Sequence, residues 1–368
     1  MTSSPWRLLI AASGTGGHLF PALGVAQQLP EVEIEWLGVP DRLEQTLVPQ
    51  DYRLHLVAVE GFQTRLGLKT LKVLWGLIRA IFQVKGLLKN RRIDLVFTTG
   101  GYIAAPAILA AKWSGIPVIL HESNYIPGKV TRFLSRFCDT VAIGFEGTAQ
   151  YLPKVATRWV GTPVRSQFYS SATLTDLAIP EDAPLIVVAG GSQGAVAVNR
   201  LVRQAATAWL EAGAYIVHLT GENDPDAQNL THPHYFALPF YENMAGLLQR
   251  ADLAVSRSGA GTLTELAIAQ TPSLLIPYPF AAEDHQTYNA KVFAEAGAAY
   301  LYDQKQLTAE ILSRQVLDLL NDGDRLQQLG QQAASLAIRD SADRLAELLR
   351  QTVAQSQTVA QKTKNFDA

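Results

Sequence analysis

This 368-residue chain has one cysteine, Cys138. A single thiol excludes an internal disulfide framework and a four-cysteine zinc site, and it fits a reducing compartment. No excess of charge of one sign is present. Lys plus Arg number 31 and Asp plus Glu 33, so nothing recommends a nucleic-acid partner. No stretch reaches the roughly 18 uncharged apolar residues of a spanning helix. The apolar run Leu8 to Ala12 is too short for the apolar region of a signal peptide and leads into glycines. The expectation is a protein that is soluble or at most peripheral to a membrane. Asp224-Pro225-Asp226 mimics a metal-binding Asp-x-Asp, but it sits in a polar turn and reads as coincidence. No metal and no cofactor are assigned.

What is present repeats. Arg7 to Ala12 reads as a strand, Ser13-Gly14-Thr15-Gly16-Gly17-His18 as a turn, and Phe20 to Leu29 as a helix with Pro21 in its first turn. Strand, glycine loop and helix form the phosphate-cradling unit of doubly wound folds. It is not a P-loop, because no Gly-Lys-Ser/Thr follows. The dinucleotide fingerprint fails as well: Leu19 takes the third glycine's place, and the strand Val32 to Leu37 ends at Gly38 without an acid. The pattern restarts half a chain later with Leu185 to Ala189, Gly190-Gly-Ser-Gln-Gly-Ala195 and a helix from Ala197 to Ala212. Two such halves imply an α/β chain of twin Rossmann-like doubly wound domains with a cleft between them. The linker falls near 163–170. The chain is expected to be helical from Thr308 to about Ser356, with the part after about Asp340 rejoining the first domain. The polar tail, Gln357 to Ala368, is expected to be disordered.

Chemistry-bearing residues collect at strand ends. His18 follows a glycine loop, and an imidazole titrates close enough to neutrality to act as a general base. Thr99-Gly100-Gly101-Tyr102 is a second glycine turn, and His121-Glu122-Ser123-Asn124 ends another strand. Either set can face a ligand or be satisfied inside the core. In the second half, Ser258-Gly259-Ala260-Gly261 leads into a helix from about Thr262, and a further helix opens at His285-Gln286. Two helix N-termini at one strand end suit an anion or a polyol. Glu265, in the first of these openings, fits a ribose diol or a capping box with Thr262. Gln286 and Asn289 are amides one turn apart.

Seven segments in order, GTGGHLFPAL (14–23), TTGGYIAAPA (98–107), HESN (121–124), VGTPVR (160–165), GGSQGA (190–195), SRSGAGTLTE (256–265) and HQTYNA (285–290), resemble glycosyltransferase family 28 along nearly the whole chain. In particular they resemble its members that transfer N-acetylglucosamine (GlcNAc) from UDP-GlcNAc to undecaprenyl-diphospho-muramoylpentapeptide (lipid I). The resemblance implies the GT-B architecture. The first domain, 1–165, would face acceptor and membrane, with 340–356 joined to it; the second, 166–339, would bind UDP-GlcNAc. It implies Glu265 as ribose ligand, Gln286 as sugar ligand, Ser192 and Arg165 at the diphosphate, and the backbone of Tyr241 and Ala260 around the uracil. Thr15, Gly16 and Gly17, with Asn124, would complete the sugar site. His18 is the candidate base. Gly14, Gly100, Gly101, Tyr102, His121 and Glu122 are candidates for the acceptor and its diphosphate. Ser123 stands where glutamine is common and Thr162 where asparagine is common. Rival readings are a relative acting on another lipid such as diacylglycerol, a UDP-GlcNAc 2-epimerase, and a non-catalytic sensor.

A lipid-linked acceptor points to the cytoplasmic face of the inner membrane. Between Gly61 and Ile93 lie eight basic residues, Arg65, Lys69, Lys72, Arg79, Lys85, Lys89, Arg91 and Arg92, and no acid. Leu68 to Lys89 reads as a helix. One face carries Val73, Leu77, Ala80, Ile81, Val84 and Leu88 for the core. The other mixes Leu71, Trp75, Ile78 and Phe82 with Lys72, Arg79 and Lys89, as an anionic membrane surface demands.

Overall fold

The structure is a computed structural model and describes residues 6–59, 68–191 and 194–366. The chain divides into two compact units: Met1–Arg165 with Asp340–Ala368, and Ser166–Arg339. In chain order the first unit contains β1 (Arg7–Ala11), α1 (Gly16–Gln27), β2 (Glu33–Gly38), α2 (Glu44–Leu47), β3 (Arg53–Leu56), α3 (Leu68–Arg91), β4 (Leu95–Thr98), α4 (Ala104–Trp113), β5 (Val118–Glu122), α5 (Lys129–Leu134), β6 (Thr140–Ile143) and β7 (Thr157–Trp159). The second contains β8 (Leu185–Ala189), α6 (Val196–Glu211), β9 (Tyr215–Leu219), β10 (Tyr235–Leu238), α7 (Met244–Arg250), β11 (Leu253–Ser256), α8 (Ala260–Ala269), β12 (Ser273–Leu275), α9 (His285–Glu295), β13 (Ala299–Leu301), α10 (Ala309–Leu320) and α11 (Gly323–Ser335). The last helix, α12 (Ser341–Phe366), returns to the first unit.

Among the described residues the first unit holds a 7-stranded sheet ordered β3-β2-β1-β4-β5-β6-β7, and the second a 6-stranded sheet ordered β10-β9-β8-β11-β12-β13. Every pairing between these strands is parallel, as with Arg7 opposite Glu33 and Leu8 opposite Leu95. Parallel sheets are covered on both faces, so central strands such as β4 (LVFT) and β8 (LIVVA) are buried along their whole length, whereas the edge strand β3 (RLHL) is not. Side chains alternate across β1. Leu8 and Ile10 join one cluster with Leu19 and Val25 of α1 and Leu345 and Leu349 of α12. Leu9 and Ala11 join another with Val84 and Leu88 of α3 and Ile108 of α4. In the second unit Ile186 and Val188 pack with Val202 and Trp209 of α6 and Leu312 of α10.

Both sheets reverse their winding beside their first strand. β1 lies between β2 and β4, and β8 between β9 and β11. Loops leave such a switch point in opposite directions and open a crevice at the carboxyl ends of the strands. The loops after β1 and β4, and those after β8 and β11, are the glycine-rich ones.

Several expectations are corrected. α1 starts at Gly16, so Pro21 lies inside the helix and His18 belongs to the first turn. The region after Thr308 is three helices, broken near Asp322, whose carboxylate caps α11, and again at 336–340. The tail is not structureless: α12 continues to Phe366, because 341–366 contains no Pro or Gly to stop it. α12 is fastened at its middle, where Arg350 bonds Glu31 at 2.8 Å and the Gln28 carbonyl at 2.8 Å.

Candidate functional site

In the first unit the glycine loop ends on Thr15, which is extended (φ −109°, ψ 163°) and makes no side-chain cap. The first amides of α1, at Gly16 and Gly17, therefore lack a capping side chain at a helix N-terminus. One turn in, His18 Nδ1 lies 2.7 Å from the Thr99 carbonyl, and Thr99 Oγ1 donates to the His18 carbonyl at 2.9 Å. A carbonyl only accepts, so Nδ1 carries the proton and Nε2 presents a lone pair in the neutral ring. The adjacency of β1 and β4 makes this contact possible. Gly100 and Gly101 have φ of +97° and +76°, and a Cβ at Gly100 would meet the His18 ring at 3.4 Å. The bare backbone thus forms a wall beside the imidazole.

Gly14 is corrected as a phosphate cradle. Its N–H donates at 3.2 Å to Glu44, a fully buried carboxylate that also accepts from Val39 N at 2.7 Å. The amide is occupied, and a buried anion behind it opposes a phosphate. Glu44 is a residue that sequence reasoning missed. Its signal was faint: Gly38 has no room for a Cβ, which would meet Glu44 Cγ at 2.6 Å.

His121 and Glu122 are also corrected, because both turn inward. His121 is fully buried, with Nε2 2.9 Å from the Gly161 carbonyl and Nδ1 3.3 Å from Ser123 Oγ. Burial pushes its pKa down, against the Gly161 bond. Glu122 accepts from the Asn124 amide N–H (3.0 Å) and side chain (3.1 Å), from Gly128 N (3.0 Å) and from Thr131 Oγ1 (2.5 Å). Four donors saturate the carboxylate, so it shapes the loop carrying Asn124 and has no free lone pair for a ligand. Tyr102 is exposed at the Gly100–Gly101 loop. The Arg165 guanidinium carbon lies 4.6 Å from the centroid of the Phe20 ring.

In the second unit the loops after β8 and β11 adjoin. Ser192 lies outside the described residues. Gly194 (φ +74°) rests on the Thr220 carbonyl, which a Cβ would approach to 2.5 Å. α8 begins at Ala260 with Gly259 as its uncapped N-cap. Its first amides, at Ala260 and Gly261, thus receive no cap from the N-cap side chain. This start overturns the capping box: Thr262 is the third helical residue, and Glu265 lies beyond the opening turn. Ser258 Oγ donates to the Gln286 carbonyl at 2.8 Å, which docks the first turn of α9 against this loop. Gln286 Oε1 accepts from Tyr278 N at 2.9 Å, leaving its –NH2 as the end able to donate. Asn289 is fully buried and donates to the Ser258 carbonyl at 3.2 Å, so it braces the loop. Before α9, Glu283 and Asp284 both have positive φ, 55° and 53°, a strained pair of the kind found at ligand sites.

The Tyr241 hydroxyl bonds Asp176 at 2.5 Å, and burial with that partner raises its pKa. The Tyr241 side chain is buried. Arg257 was also missed. It is buried, spans the ends of β11 and β12 through the Ile276 and Pro277 carbonyls (2.9 Å each), and burial pulls its pKa down to about 10. Asp224 accepts from Arg203 at 2.8 Å and Asn199 at 2.7 Å. It is a structural anion within the second unit.

On α3 the side chains of Ala80, Val84 and Leu88 are buried, while Leu71 (64%), Trp75 (70%), Ile78 (38%) and Phe82 (56%) are exposed. Lys72, Arg79 and Lys89 lie among them, exposed. Phe82 meets Trp113 of α4 edge to face at 5.3 Å, and Lys85 Nζ sits 3.8 Å over the same indole. Phe133 on α5, packed beside α4, adds an exposed aromatic (66%) between Arg132 and Arg136. Arg65 and the Lys69 side chain lie outside the described residues. Among those residues no helix is long and apolar enough to cross a membrane.

Residues 8–143 match the glycosyltransferase family 28 N-terminal domain, and residues 185–345 its C-terminal domain. A protein of Gloeothece citriformis is 70% identical over 95% of this chain and 97% of its own. It is named UDP-N-acetylglucosamine--N-acetylmuramyl-(pentapeptide) pyrophosphoryl-undecaprenol N-acetylglucosamine transferase. The crystal structure of Acinetobacter baumannii MurG superposes with a TM-score of 0.75 at 31% identity, covering 94% of this chain and all of that one (100%). A UDP-N-acetylglucosamine 2-epimerase structure reaches 0.69 at 14% identity, over 94% of this chain and 96% of its own. That second likeness shows the fold alone.

Proposed function

The chain belongs to glycosyltransferase family 28, and from that premise we propose that it moves GlcNAc from UDP-GlcNAc to the muramoyl 4-hydroxyl of lipid I, a step of peptidoglycan synthesis. The near-full-length identity to the Gloeothece transferase carries this reading.

The chemistry is an inverting displacement. The acceptor oxygen bonds to the anomeric carbon as the bond from that carbon to the UDP oxygen breaks. The hydroxyl proton passes to His18 Nε2, and UDP leaves with the bonding pair. The Thr99 carbonyl supports this role by fixing the proton on Nδ1, much as an orienting acceptor does for a histidine base elsewhere. Arg165 supplies fixed positive charge to the departing diphosphate, and uncapped helix amides add donors that need no reorganisation. The α8 amide at Ala260 and the backbone of Tyr241 hold the uracil, Glu265 the ribose, and the Gln286 –NH2 a sugar hydroxyl. Thr15, Gly16, Gly17 and Asn124 contact the transferred sugar.

The acceptor's lipid tail requires a membrane. The faces of α3, α4 and α5 meet anionic headgroups from the cytoplasmic side, with Trp75, Phe82 and Phe133 entering the interface. Donor turnover with and without lipid I tests the whole reading. UDP should be released, and labelled GlcNAc incorporated, only when lipid I is present. Conversion of UDP-GlcNAc without acceptor, or galactose transfer to diacylglycerol in its place, would overturn it.

A further inference from the structure

We propose that Phe20 is a positioning residue for the reaction, whose ring face holds the Arg165 guanidinium in the orientation that meets the donor's diphosphate. The inference rests on the diphosphate role of Arg165 argued above.

The geometry builds the platform in three steps. Val164 and Pro163 lie along α1 because Gly24 admits them: a Cβ there would meet the Val164 carbonyl oxygen at 3.1 Å and Pro163 Cβ at 3.3 Å. This brings Arg165 back over the first two turns of the helix. The Phe20 ring then lies across Gly16, one turn earlier, where a Cβ would strike Phe20 Cε2 at 2.7 Å. A side chain at 16 would therefore displace the ring. Finally the guanidinium carbon sits 4.6 Å from the ring centroid. At that distance the quadrupole of the π face attracts a cation, and Arg stacks there in a way that Lys does not reproduce. The same turn of α1 carries His18 and the uncapped amides of Gly16 and Gly17. The ring thus ties the orientation of the charge to the helix that carries the candidate base.

The interaction is strongest when the charge is held for a developing anion, so its loss should appear in kcat and leave the KM for UDP-GlcNAc nearly unchanged. Phe20→Leu keeps apolar volume and removes the π face. A cation–π contact of this exposure converts to about a 2- to 5-fold fall in kcat. Phe20→Tyr restores the face and should restore the rate. The deciding experiment is a double-mutant cycle of Phe20→Leu with Arg165→Lys, read as kcat, with melting temperatures as a check on folding. Phe20→Leu should lower kcat in the parent and have little further effect once Arg165 is lysine. If the two losses multiply, or if tyrosine fails to rescue, Phe20 only packs α1 and the inference falls while Arg165 keeps its role. If Arg165→Lys and Arg165→Ala both leave kcat intact, the diphosphate role itself is wrong and the inference goes with it.

Discussion

Replacing Lys72, Arg79 and Lys89 together by glutamate should detach the protein from anionic vesicles. All three side chains stand exposed on α3, so the fold should survive the change. Each cation beside an anionic leaflet contributes about 1 kcal/mol. Removing three then costs about 3 kcal/mol, and reversing their sign costs at least that. At about 1.4 kcal/mol per tenfold change, vesicle affinity should fall at least about 100-fold. The apolar part of the contact, Trp75 (70% exposed) and Phe82 (56%), is left in place, so the residual binding should respond little to salt. Sedimentation with phosphatidylglycerol vesicles at low and high ionic strength measures both quantities. The parent should lose affinity as salt shortens the screening length, and the triple variant should not. Activity on vesicle-embedded acceptor should drop in parallel, while a soluble short-chain acceptor should be used as before. A triple variant that binds vesicles as tightly as the parent at low salt refutes the reasoning, and Trp75 and Phe82 then have another purpose.

His18→Ala should lower kcat by about 10²–10⁴-fold, the usual share of general-base assistance, with donor affinity nearly unchanged; a variant that keeps most of its kcat removes His18 from that role. Glu265→Gln should weaken UDP binding and leave melting where it was, since Glu265 sits past the opening turn of α8; a large drop in melting with donor affinity intact would restore a structural role. His218 is fully buried, and burial drives its pKa down to about 3. Unfolding frees the ring to protonate near its ordinary value, so its contribution is fully present above about pH 6.5 and is lost at about 1.4 kcal/mol per pH unit as pH falls toward 3. Replacing it by asparagine should flatten the stability profile between pH 6 and 4, measured by urea unfolding, and an unchanged slope would count against this assignment.

Much of this protein was legible in its sequence, because the signals are local. A strand that ends in glycines and feeds a helix is written in adjacent residues, and the chain writes it twice, at Arg7–Gln27 and at Leu185–Glu211. The alternation of β1 side chains between the two faces of the sheet and the apolar stripe Ala80, Val84, Leu88 on α3 follow from strand and helix periods alone. Short elements left no such trace. β6, β13 and α5 are three to six residues long, too short to show a period.

Partnerships across the sheet were decided only by the tertiary structure. No spacing shows that β4 lies beside β1, yet that neighbour puts the Thr99 carbonyl on His18 Nδ1 and so selects which nitrogen is basic. Nor does spacing show Glu44 taking the Gly14 amide, or Glu122 spending its oxygens on Asn124, Gly128 and Thr131. A polar side chain at a strand end carries the same letter whether it faces a ligand or the core. The capping box that Thr262 and Glu265 would allow does not form for a related reason: helix starts depend on which amides find partners, and α8 begins two residues earlier, where Gly259 lets the chain turn in from β11. Sequence determined the kinds of element and the loops that can bind. Packing decided which donors and acceptors were already taken, because each can be satisfied only once the chain is folded around it.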